Sequence, residues 1–185
     1  YLSAGALQRA TAVLQRLLQR TDNQPDSSLV HYYLADIAAT EGDAEAAMYH
    51  GMTGATASRG TFFPNRRSDL HVLQNHVERL PNDAQAWCDL GNVLYGKRRY
   101  DEAIRAWEEA RDLSPEFAQP RRNLGLAYFN KRHDAAGAWR MLEEAYRLNT
   151  DDARVLYELD QLAKRLNHTP ESRLARLQSH GEAVA

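Results

Sequence analysis

The chain has 185 residues, 43% of them hydrophobic, with 25 acidic and 23 basic side chains and a formal net charge of −2. That balance supplies no basic field for nucleic acid, and no apolar run reaches the roughly 18 residues that a membrane span needs. A single cysteine, Cys88, excludes an internal disulfide framework and fits a reducing, cytoplasmic compartment.

Residues 4–20 place Leu7, Ala10, Val13, Leu14, Leu17 and Leu18 on one side of an amphipathic helix. Thr21-Asp22-Asn23-Gln24-Pro25 breaks that pattern. A second helix is predicted over 28–40, carrying Tyr32, Leu34, Ala35 and Ala38. After a turn at Glu41-Gly42-Asp43 a third begins with Ala44, Ala47 and Met48, and Gly51, Gly54 and Gly60 weaken its end. Thr61-Phe62-Phe63-Pro64-Asn65 then interrupts the alternation; its phenylalanines either wedge between helices or face another part of the protein. Residues 67–79, with Leu70, Leu73 and Val77, form a lone helix that fits no simple alternation of pairs. The start at Tyr1, inside a helical pattern and without Met, reads as a fragment of a longer chain, and YLSAGALQRAT has no signal-peptide character.

The pattern sharpens from Ala84. Trp87, Leu90 and Leu94 make one apolar stripe, and Ala103, Trp107, Ala110 and Leu113 make another. Gly91 and Ala103 are small where two antiparallel helices must approach, with Trp107 filling the space beside them. Lys97, Arg98 and Arg99 suit the negative end of the first helix, and Asp101 and Glu102 the positive start of the second. Ser114-Pro115-Glu116 reads as N-cap, N1 proline and acidic first turn of the next helix. Leu124, Gly125 and Tyr128 repeat Leu90, Gly91 and Leu94 at an interval of 34. Ala138, Leu142, Ala145 and Leu148 repeat the second stripe at 35, so one residue is inserted near Asp134. A third unit runs from Ala153 through Leu156, Leu159 and Ala163 to Thr169-Pro170-Glu171. Residues 170–180 are predicted to cap the stack, with Leu174 and Leu177 inward and Arg173, Arg176 and Gln178 in water.

The order W-x2-L-G, A-x3-W and P resembles the tetratricopeptide repeat, well over 84–167 and loosely over 28–57. Arg121 in place of the first aromatic and Thr150 in place of the proline depart from it. The resemblance implies an all-α, tetratricopeptide-type α-solenoid of stacked antiparallel helix pairs, about ten helices in one domain over 1–185. Within it, 1–60 hold degenerate repeats and 61–83 the irregular segment with the lone helix. Repeats follow at 84–117 and 118–152, and 153–180 form the last repeat and cap. The runs FFPNR, LGNVLYGKRRYDEAIRAWEEA, RNLGLAYFNKR and DARVLYELDQLAKRLNHTPESRLARL also resemble large bacterial proteins. In those, a repeat array follows a galactose-mutarotase-like β-sandwich region.

In this family the first helix of each repeat lines a concave face. The resemblance therefore implies a groove formed by Gln85, Cys88, Asp89, Asn92, Tyr95 and Gly96, and by Gln119, Arg122, Asn123, Leu126, Phe129 and Asn130. Arg154, Tyr157, Glu158, Gln161, Lys164 and Arg165 complete it. The candidate peptide-binding residues are Asn92, Tyr95, Gln119, Arg122, Asn123, Phe129, Arg154 and Tyr157. Asn holds a backbone amide through donor and acceptor, Arg grips a carboxylate in a fork, and the aromatics stack on a ligand or flank the helices. A clamp for a chaperone C-terminal carboxylate would use Cys88, Asn92, Asn123, Arg154 and Glu158, but Cys88 lacks charge and Glu158 has the wrong sign.

The seven histidines do not cluster along the chain, and no His-x3-His or Cys-x2-Cys spacing points to a metal. No nucleophile elbow, phosphate loop or dinucleotide fingerprint occurs, so neither enzyme activity nor a cofactor is expected. Glu108-Glu109 and Glu143-Glu144 read as a solvated face, and neighbouring acids offset Arg98-Arg99, Arg121-Arg122 and Lys131-Arg132. The expected function is a scaffold for protein–protein interaction, binding an extended peptide or partner domain without membrane or nucleic acid. The alternative is an accessory module that supports a carbohydrate-related domain of the same chain. It predicts an apolar patch around Leu2, Leu7 and Phe62-Phe63, through which the isolated chain would form a homodimer.

Overall fold

A computed structural model describes residues 4–20, 27–57 and 64–182, and all regular structure among them is helical. The chain divides into two compact units, Tyr1–Arg99 and Tyr100–Ala185. The first contains α1 (Ala4–Arg20), α2 (Ser27–Glu41), α3 (Ala44–Thr56), α4 (Arg67–Arg79) and α5 (Ala84–Gly96). The second contains α6 (Tyr100–Leu113), α7 (Ala118–Ala127), α8 (Ala135–Leu148), α9 (Ala153–Arg165) and α10 (Pro170–Glu182).

In the first unit α2 is central, packing on α1, α3 and α4, while α4 also packs on α5. This gives the lone helix of the sequence a definite place. Val72, Leu73, His76 and Val77 turn its buried face inward, and Asp69 secures its start. Asp69 Oδ2 accepts from the N–H groups of Asn65 (2.9 Å) and Arg66 (2.8 Å), and Oδ1 accepts from the Tyr33 hydroxyl at 2.6 Å. Gly51 and Gly54 of α3 are contact points, and Gly60 lies outside the described residues. A Cβ on Gly54 would lie 2.6 Å from Tyr32 Cε1, and one on Gly51 2.7 Å from Leu80 Cδ1. Close packing thus overrides the low helix propensity of glycine. The stripe of α1 is only partly covered, since Val13 and Leu17 are exposed.

In the second unit consecutive helices pack in order from α6 to α10. Gly125 is needed where α7 meets α8, because a Cβ there would sit 2.7 Å from Leu142 Cγ and 3.1 Å from the Ala138 carbonyl oxygen. The inserted residue lies slightly before Asp134, in a π-helical turn at Tyr128–Arg132 that continues α7. One extra residue widens that turn without breaking the helix. Left-handed residues mark the ends of the first helices at Arg98, His133 and Asn167, at intervals of 35 and 34, so the insertion falls between the first two.

Two terminal assignments are corrected. Ser114-Pro115-Glu116 does not start α7; the Phe117 N–H donates to the Ser114 carbonyl at 3.0 Å, and Pro115 occupies the second position of a β-turn. The helix starts after Phe117, which is buried and caps nothing with its side chain. In α10, Leu174 is exposed, whereas Leu177 borders a small cavity with Leu156 and Leu159 of α9, and two arginines expected in water also tie the helix down. Arg173 forks onto Asp160 of α9 (2.8 and 2.5 Å), and the Arg176 guanidinium lies 4.2 Å from the Trp139 ring centroid. The Thr169 cap holds, with its Oγ1 accepting from the Ser172 N–H at 3.2 Å.

Candidate peptide-binding surface

The candidate residues fall in both units. On α5, Asn92 and Tyr95 are half-buried, whereas Cys88 is fully buried and so leaves the surface on which the repeat pattern placed it. Asp89 lies between them and accepts from Gln85 Nε2 at 3.0 Å. Burial pushes its carboxyl up to about 7; the Asp83 charge adds to that rise, and hydrogen bonds from Gln85 and Asn92 oppose it.

In the second unit α7 contributes Gln119, Arg122 and Asn123, all half-buried, and α9 contributes Arg154 and Tyr157, both exposed. Arg122 and Glu158 join the two helices. Arg122 Nε donates to Glu158 Oε2 at 2.8 Å, and Nη2 donates to Oε1. The Glu158 charge that would repel a ligand carboxylate is therefore neutralised, and the Arg122 fork is occupied. Phe129 lies in the π-helical turn and packs on the α8–α9 core, with the Arg165 guanidinium 5.4 Å from its ring centroid. Tyr157 differs, for 63% of it is exposed although Val155, Leu159, Leu162 and Ala163 of the same helix are buried. Leu2, Phe62 and Phe63 lie outside the described residues, and Leu7 is half-buried.

Three clusters had no simple sequence signal. Glu108 is not merely solvated: it accepts from the Tyr128 hydroxyl at 2.7 Å and pairs with Arg132 at 3.4 Å. His31 and His50, nineteen residues apart, bring their Nδ1 atoms to 3.1 Å, and burial lowers the pKa of both. Asp83 accepts from the Tyr32 hydroxyl and His76 Nε2, each at 2.8 Å, and from the Ala86 N–H at 3.0 Å. Burial alone would raise the Asp83 pKa, but these hydrogen bonds hold it below the usual carboxylate value. Among the described residues no group of three or more His, Cys, Asp or Glu could hold a metal ion. No helix among them is long and apolar enough to cross a membrane.

Tetratricopeptide-repeat family models match residues 84–117 and 1–51. The anaphase-promoting complex subunit CDC27 of Saccharomyces cerevisiae is 40% identical over 42 residues, which cover 23% of this chain and 6% of that protein. The cytochrome c-type biogenesis protein CycH of Bradyrhizobium diazoefficiens is 31% identical over 94 residues, covering 50% of this chain and 26% of that one. The chain thus matches only a small part of either relative. A crystal structure of MamA superposes with a TM-score of 0.56 at 15% identity, over 100% of this chain and 94% of that one. PilF of Pseudomonas aeruginosa gives 0.50 at 23% identity, over 87% and 62%. The chain carries tetratricopeptide repeats and has the all-α, α-solenoid fold of that repeat class.

Proposed function

We propose that the chain is a non-catalytic scaffold that holds an extended peptide of a partner protein against the first helices of its repeats. Tetratricopeptide repeats serve as protein–protein interaction scaffolds, and the observation that carries the reading here is Tyr157. Its ring stands in solvent on a helix whose other face is already packed, so core formation does not account for it. Arg154 lies three residues earlier, on the same face, and is also exposed. Beside them the Arg122–Glu158 pair forms a neutral surface between α7 and α9. Such a surface favours the interior of a peptide, read through backbone amides and apolar side chains, over a terminal carboxylate. Helices packed before binding lose little ordering entropy when the ligand arrives.

The test is the double variant Arg154→Ala/Tyr157→Ala, assayed against peptides selected on the wild-type protein. Affinity should fall at least about tenfold, equivalent to about 1.4 kcal/mol, with the far-ultraviolet circular dichroism unchanged. Undiminished affinity would remove α9 from the binding surface. Asn92 and Tyr95 belong to the other unit, and their replacement is a separate experiment.

A further inference from the structure

The first unit contains a cavity of about 310 Å³ among α2, α3 and α4. Its walls include the small residues Ala39, Ala44, Ala47 and Gly51, and two polar side chains, His76 and Arg79, also line it. His76 is fully buried. Its Nε2 faces Asp83, and a carboxylate can only accept, so Nε2 is the protonated nitrogen. Nδ1 is the ring's other nitrogen. It has no hydrogen-bond partner among the described residues and would lie 3.8 Å from a Cβ at Gly51, a wall residue. Arg79 Nη2, 3.5 Å from Asp36 Oδ1, also lacks a hydrogen bond. A fully buried ring nitrogen with no hydrogen bond and a guanidinium nitrogen held only by a 3.5 Å ion pair thus stand at one small-residue cavity, where a further polar partner would be favourable.

We infer that this cavity receives the side chain of a tyrosine from a partner protein. Size is the first argument, since a cavity of about 150 Å³ already holds benzene. Chemistry is the second. A phenol hydroxyl both donates and accepts, so it can meet His76 Nδ1 in either role and accept from Arg79 Nη2, whereas an indole N–H only donates and a carboxylate only accepts. The surroundings are the third argument and select a protein over a free phenol. Met48 lines the cavity and is 48% exposed, and Tyr49 and Met52 of the same helix are exposed at 64% and 58%. Met48 at the cavity, with Met52 one turn further along α3, supplies flexible apolar surface of the kind that keeps water from an aromatic anchor at an interface hot spot. This surface lies wholly in the first unit and is independent of the α7–α9 reading.

The test titrates the full chain, labelled at its alanine methyl groups, with p-cresol and with p-xylene, in which a methyl group of similar size replaces the hydroxyl. The Ala44 and Ala47 signals should shift saturably, with p-cresol bound about tenfold more tightly, the worth of about one hydrogen bond. Ala44→Leu, at an exposed position, should abolish the p-cresol response. N-acetyl-tyrosinamide should bind more tightly than p-cresol, and Met52→Ser should cancel that gain. Equal binding of the two probes, no saturable shift, or an unchanged response in Ala44→Leu would overturn the site. Binding of p-cresol but not N-acetyl-tyrosinamide would overturn the partner tyrosine and leave a site for free phenols.

Discussion

Asp83 and Asp152 begin the first helices of two repeats, and the chain uses them very differently. Both cap, Asp83 through the Ala86 N–H and Asp152 through the Arg154 N–H at 2.9 Å. Asp152 is half-buried and does little else, whereas Asp83 is buried and also accepts from Tyr32 of α2 and His76 of α4. Between them in sequence, Phe117 fills the same position and caps nothing. The second unit follows the repeat pattern, so its helices meet through small and large apolar side chains such as Gly125 and Leu142. In the first unit a buried polar cluster also joins three helices, α2, α4 and α5. The same position in the repeat is thus a local cap in one unit and a tertiary junction in the other.

Breaking that contrast should have the largest effect. Asp83→Ala leaves His76 and the Tyr32 hydroxyl unpaired in the interior and should cost about 3–5 kcal/mol, while Asp152→Ala should cost about 1 kcal/mol. Urea unfolding of both variants checks this, and equal losses would erase the distinction. Next come the glycines. Gly125→Ala forces a Cβ against Leu142 and the Ala138 backbone and should cost about 1–3 kcal/mol. Gly96→Ala, with nothing within 4 Å, should be neutral or gain up to about 1 kcal/mol. Thermal melts separate the two.

A smaller effect is a dependence on pH. The Asp89 carboxyl sits at about 7, above its unfolded value of about 3.9, so between these values the folded state binds more protons. Its contribution to stability therefore declines as pH rises from about 4 to about 7. Asp83 has the opposite sign, because its depressed pKa gives stability that is lost as pH falls through the folded value. Denaturant midpoints measured across that range should flatten in Asp89→Asn; an unchanged profile would contradict the burial assigned to Asp89. Glu158→Gln should cost about 1 kcal/mol. It frees the Arg122 fork, so peptides ending in a carboxylate should bind this variant better than the wild type in a fluorescence-anisotropy titration.

The repeat was legible wherever spacing alone sets packing. Leu124, Gly125, Ala138 and Leu142 are small or large for reasons that any stacked helix pair imposes, and an interval of 35 in place of 34 exposed the insertion. What spacing does not encode is long-range polar pairing. Tyr32 and Asp83 are 51 residues apart, and Arg122 and Glu158 36, so neither pair leaves a local pattern. Gly51 and Gly54 read as helix breakers because the side chains that need their space, Leu80 and Tyr32, lie on other elements. The amphipathic pattern of α10 was also ambiguous, as Arg173 and Arg176 find partners on α9 and α8 that one helix viewed alone does not show. Of the candidate surface that the resemblance implied, Arg154 and Tyr157 lie exposed on α9. The resemblance also placed Cys88 there, but the fold buries it.

The most direct measurement selects peptides from a random library on the wild-type protein. They are then compared on Tyr157→Ala and on Arg140→Ala, an exposed control on α8. The account predicts enriched peptides whose affinity falls about tenfold or more with Tyr157→Ala and holds with Arg140→Ala. Enriched peptides indifferent to Tyr157, or a library that yields none, would contradict a scaffold that grips peptides on its first helices.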